Sequence, residues 1–177
     1  MYMALYPCGC GDERFAAALR MTLEDGVLVT HYSGRCRTCH TQRDFAFCID
    51  DEFSPDGDDP PLTPGEPEFG RGTEPSEIID AGQWLRSADR IVAVTPSNIL
   101  GTSEEEWLAR RYMFKAAAQS VGEVLKFIPA DLDDVPDRAF WTDDGRAERD
   151  RAPDRFRRDR LERFRHACLE LASRYSD

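Results

Sequence analysis

Cys8-Gly9-Cys10-Gly11-Asp12 and, further along, Ser33-Gly34-Arg35-Cys36-Arg37-Thr38-Cys39-His40 are the two stretches that decide how this chain folds. They hold four of its six cysteines, in two close pairs separated by a long interval. Two such knuckles can be drawn to a single tetrahedral ion from opposite sides. Zn²⁺ is the ion this donor set predicts, because structural zinc sites are commonly four-thiolate with short spacings inside each pair. A site of that kind is coordinatively closed and leaves no position for water, so the metal reads as a staple and not as a catalyst. It would supply roughly 10–16 kcal/mol of apparent binding free energy, more than a short module gains from a thin apolar core. His40, next to Cys39, is the alternative for one ligand, while His31 reads as an ordinary half-exposed side chain.

Outward from the knuckles, Gly9 and Gly11 let the backbone turn its amides toward sulfur. Arg14 to Leu23 reads as a short helical or extended piece leading into the turn Glu24-Asp25-Gly26. Val27, Val29 and His31 alternate with Leu28, Thr30 and Tyr32 as in a strand, and Phe45 and Phe47 alternate with Asp44, Ala46 and Cys48 in a returning one. Knuckle, strand, knuckle, strand is the plan of a zinc ribbon, and residues 8–50 resemble that family. The resemblance implies an architecture and a metal; zinc ribbons serve many functions, so it implies no activity.

Residues 54–75 carry Pro55, Pro60, Pro61, Pro64, Pro67 and Pro75 among acids and glycines, which predicts an acidic linker. Beyond it, Ser76 is placed to cap a helix running toward Val94, with Gly82 as a break or bend. Ser103 and Glu106 form a capping box opening a second helix that stops before Pro129, and a third begins near Pro153. The predicted fold class is α+β: a zinc-ribbon β-hairpin module over 1–53, then a three-helix α domain over 76–177.

The chain has 177 residues, 41% of them hydrophobic, and a net charge of -11. No apolar run approaches the ~18 residues of a membrane span, and the N-terminus lacks the features of a signal peptide. A cytoplasmic location is therefore expected, where thiols stay reduced and metal is favoured over disulfide. So acidic a chain repels nucleic-acid phosphates and attracts a basic protein.

Asp131, Asp133, Asp134, Asp137, Asp143 and Asp144 fit no EF-hand spacing. They read as a solvated loop, or as a surface that mimics phosphates for a basic partner. Phe140 and Trp141 lie within that segment and either anchor an interface or pack back on the helices. Asp131, Asp133, Asp134, Phe140, Trp141, Asp143 and Asp144 are accordingly the candidate partner-binding residues. Cys48 and Cys168 read as core or near-core thiols, with His166 on a different helix face from Cys168. The arginines from Arg151 to Arg165 read as a solvated face paired with acids. Walker, GxGxxG, GxSxG and HExxH sequences are absent, which predicts a protein that is not an enzyme.

Cys-Gly-Cys-Gly-Asp at 8–12, Pro-Ser-Glu-Ile-Ile-Asp-Ala-Gly-Gln-Trp-Leu at 75–85 and Glu-Val-Leu-Lys-Phe-Ile-Pro at 123–129 carry a second, looser resemblance. On these stretches the whole chain is similar to small cytoplasmic immunity-type proteins of GC-rich bacteria. That resemblance implies neutralisation of a basic toxin. The alternative is a nucleic-acid-binding or transcription-associated regulator that touches phosphates through Arg35, Arg37 and Arg43.

Overall fold

The computed structural model describes residues 2–49, 67, 69, 72–98 and 103–175, so most of the expected 54–75 linker lies outside the described residues. The chain divides into two compact units, Met1–Asp59 and Pro60–Asp177.

The first unit is a short helix α1 (Tyr2–Leu5) and a three-stranded antiparallel sheet of β1 (Phe15–Glu24), β2 (Val27–Cys36) and β3 (Gln42–Ile49), in the order β1-β2-β3. The expected hairpin is thus a three-stranded sheet, and the segment that read as helical or extended is its first strand. Ala16-Ala17-Ala18-Leu19 favours a helix locally, but pairing with β2 from Phe15↔Cys36 to Glu24↔Val27 overrides that preference. Asp25 and Gly26, at φ of 50° and 85°, make the tight two-residue turn that an Asp-Gly pair favours. Register puts Phe15, Leu19, Met21 and Leu23 on one face with Tyr32, Phe45 and Phe47. On the β3 side Tyr2 covers that face, its ring 5.3 Å from Phe47 and 6.3 Å from Phe45.

The second unit contains α2 (Ala81–Val94), α3 (Glu104–Lys126), α4 (Asp143–Arg151) and α5 (Arg158–Ser173). With α1 the described residues hold five α-helices rather than the three expected. The additional helix here is α4, in the acidic segment that read as a loop. Thr142 caps it, Asp143 and Asp144 occupy its first turn, and Arg149 and Arg151 its last, which suits the helix dipole at both ends. Pro153–Phe156 forms a short 3-10 turn, so α5 starts later than predicted. The capping box expected at Ser103 and Glu106 is present on α3.

For α2 the cap is Asp80, not Ser76, and Asp80 holds the unit together. One carboxylate oxygen accepts the Gln83 amide at 2.8 Å, and the other accepts the Thr142 amide and hydroxyl at 2.8 and 2.6 Å. A single buried carboxylate therefore joins the starts of α2 and α4. Gly82 does not bend α2; it allows the approach. A Cβ there would lie 2.5 Å from the Gly145 Cα, and one on Gly145 would lie 2.1 Å from Asp80 Oδ2. The core of the unit comprises Leu85, Phe114, Val121, Val124, Phe156 and Leu161, with Cys168 closing one side.

Candidate metal centre

The first knuckle is closed by the Gly11 amide on the Cys8 carbonyl (2.7 Å) and the Cys8 amide on the Asp12 carbonyl (3.0 Å). The second is closed by the His40 amide on the Cys36 carbonyl (3.1 Å) and the Cys36 amide on the Thr41 carbonyl (3.0 Å). Both turns are followed through left-handed backbone, Gly11 at φ 85° and His40 at φ 60°. The result brings the sulfurs of Cys8, Cys10, Cys36 and Cys39 within 4.8 Å of one another. The closest approaches cross between knuckles, Cys8 to Cys39 at 3.3 Å and Cys10 to Cys36 at 3.6 Å. A tetrahedral ion with Zn–S bonds of about 2.3 Å sets its sulfurs about 3.8 Å apart. These four thiols fit such an ion. His40 is not in the group, and His31 lies on the sheet's polar face, bonded to Glu24 at 2.8 Å.

Three residues that the sequence reading passed over complete the centre. Asp12 Oδ1 accepts the Arg14 amide at 3.0 Å and its guanidinium at 3.1 Å, while Oδ2 accepts the Thr38 hydroxyl at 2.6 Å. Asp12 thus ties the first knuckle to the second. The Thr38 hydroxyl, followed by the Arg14 amide and side chain, holds the Asp12 carboxyl well below the usual carboxylate range. Thr41 places its hydroxyl 3.2 Å from Cys39 Sγ. The signal available in the sequence was a hydroxyl or acid one or two positions from a knuckle cysteine, which is where groups that orient metal ligands sit.

The Thr41 hydroxyl and amide, with Cys8, lower Cys39 to about 6. The Asp12 amide lowers Cys10, but a hydrogen bond with Cys39, desolvation and hydrogen bonds with Cys36 and Cys8 push it up to about 12. Cys39 thus ionises readily, whereas hydrogen bonding among the sulfurs and desolvation hold the proton on Cys10. A divalent ion removes that obstacle. Cys48 is exposed on β3, contrary to the near-core reading, whereas Cys168 is buried and burial raises it to about 11, an inert thiol.

The residues assigned to partner binding separate. Phe140 is buried, edge-on to Phe156 at 4.8 Å, while Trp141 is 41% exposed. Asp133 and Asp134 line a hollow of about 400 Å³ with Asp137, and Trp141 lines another of about 510 Å³ with Phe127, Glu74 and Glu77. Pro136 borders both. Asp134 is paired with Arg149 at 3.1 Å, Asp143 with Arg146 at 2.7 Å and Asp144 with Arg86 at 2.7 Å. Asp131, Asp133 and Asp137 are exposed and in no ion pair among the described residues.

Of the arginines expected at phosphates, Arg35 and Arg37 are exposed, whereas Arg43 is engaged within the fold. Arg43 is buried, donates to the carbonyls of Met3 and Tyr6, and lies over the Phe15 and Phe45 rings at 4.9 and 5.3 Å. It does not form a surface patch with Arg35 and Arg37. Arg155 grips Asp89 through two bonds of 2.6 and 2.7 Å, and Arg158 holds the carbonyls of Pro129 and Leu132.

No helix among the described residues is long and apolar enough to cross a membrane. In comparisons with protein families, curated proteins and solved structures, nothing matches this chain.

Proposed function

We propose that this is a non-enzymatic binding protein in which Zn²⁺ staples the first unit and the acidic second unit captures a basic protein. The observation that carries the metal is the convergence of four sulfurs within 4.8 Å. The donors present are thiolates alone, which suit zinc and leave it coordinatively saturated. Support for the partner comes from a half-exposed Trp141 beside the Phe127 ring at 5.9 Å, in a hollow shared by Glu74 and Glu77 with Lys126 and Arg138, and from Asp133 and Asp137, which line the neighbouring hollow with Arg149 and Arg157. The exposed Trp141 ring suits an arginine or lysine side chain through a cation–π contact, and the exposed Asp131, Asp133 and Asp137, in no ion pair among the described residues, add charge pairing. The net charge of -11 speeds encounter with such a partner. A basic toxin, as the immunity-type resemblance implies, is the finer reading.

Elemental analysis of the purified chain should give one zinc per molecule, and Cys36→Ser should abolish it while Cys48→Ser leaves it. An arginine-rich peptide should bind more weakly as salt rises, and Trp141→Ala should weaken it about tenfold or more. Equal affinity for the Trp141 variant would remove this surface from the reading. A product of an adjacent gene that forms a salt-sensitive complex would identify the toxin; a neutral or acidic partner there would refute the finer claim.

A further inference from the structure

The apolar face of the first unit is covered unevenly. On β3 it is packed by Tyr2, but on β1 Leu19, Met21 and Leu23 stand 57%, 53% and 73% exposed. Among the described residues the same strand is a sheet edge ten residues long. It carries no proline and only Arg20 and Glu24 as charges, so it lacks the usual protection of an open edge. We infer that β1 is a self-association strand: a second copy of this chain pairs antiparallel with it about a two-fold axis at Leu19.

The strand's own sequence suits that register. In an antiparallel pair directly opposed residues share a face. An axis at Leu19 sets Leu19 on Leu19 of the second copy, Phe15 on Leu23 and the small Ala17 on the large Met21. It also sets Arg14 opposite Glu24 and Arg20 opposite Ala18. An axis one residue later would place Arg20 against Arg20. The two sheets then become one six-stranded sheet whose apolar face is continuous across the join. A single strand pair falls at the small end of interface sizes, so the association is weak, on the order of micromolar. Each chain carries -11, so repulsion opposes pairing and added salt strengthens it. That salt response is opposite in sign to the one expected for a basic partner, and the two readings stand or fall separately.

Sedimentation velocity on the zinc-loaded full chain tests this, over roughly a hundredfold range of concentration spanning the micromolar region. The expected result is a monomer–dimer equilibrium that shifts toward dimer from low to moderate salt. Leu19→Asp and Leu19→Lys should each be monomeric while keeping zinc and circular dichroism, because Leu19 is exposed in the monomer. An equimolar mixture of the two should recover dimer, since opposite charges then meet at the axis. A wild-type chain that is monomeric throughout, or variants that associate as wild type does, would overturn the proposal. A mixture that stays monomeric would overturn the register.

Discussion

Cys8 and Cys36 are buried while Cys10 and Cys39 are exposed, so the centre is open to solvent along one edge and supported from the other. Asp12 supplies that support by accepting from Thr38 across the knuckles. Asp12→Asn should lower zinc affinity about 10- to 100-fold in competition with a chromophoric chelator, the usual cost of removing an outer-shell partner. Proton linkage has a definite sign here. Metal takes up thiolates only, so the affinity falls as pH falls. Cys10, raised to about 12, is protonated at neutral pH and must lose its proton on binding, whereas Cys39, lowered to about 6, is already ionised. Apparent affinity should therefore drop at least about tenfold per unit between pH 8 and 6, and more steeply below 6 as Cys39 also protonates. Titration calorimetry in buffers of differing ionisation enthalpy should show net proton release at pH 7.5; zinc uptake without release would contradict the crowded-thiol picture.

The elements of the second unit meet with almost no clearance where α2 and α4 begin. Gly145→Ala forces a methyl onto the Asp80 carboxylate, itself fully buried and committed to Gln83 and Thr142. The expected loss is about 1–3 kcal/mol in urea unfolding, the range for overpacking a close contact. Ser103→Ala removes only the cap of α3, a partner of the Glu106 amide at 3.3 Å on the surface, and should cost about 1 kcal/mol. A glycine substitution milder than the cap substitution would mean the two helix starts are further apart than described.

On the scale of the whole molecule, each unit has its own means of cohesion. The converging cysteines and a small aromatic cluster around Tyr2, Phe15, Phe45 and Phe47 hold the first. An aliphatic and aromatic core with the Asp80 and Asp89–Arg155 contacts holds the second. Metal removal should therefore act on the first alone. Treatment with a strong zinc chelator should erase sheet signals from amide spectra and leave the thermal transition of the helices in place; loss of both together would show a single cooperative system.

The sequence by itself determined the four-cysteine cluster, the strands β2 and β3 and the cap of α3, because each rests on local chemistry: paired thiols, alternation over a few residues, or a hydroxyl three positions before a glutamate. It did not determine β1, whose alanines have no strand preference until β2 lies beside them, nor α4, whose acidic stretch has too few apolar residues to show a periodic face. Arg43 read as a surface group, and Phe140 stood open between an interface anchor and packing on the helices, for the same reason: burial is a property of what surrounds a side chain. Only the tertiary structure decided that Arg43 pins the N-terminal turn, that Phe140 turns inward while Trp141 stays in solvent, and that Asp12 bridges two knuckles. Those outcomes depend on contacts between residues far apart in the chain, and a one-dimensional pattern records none of them.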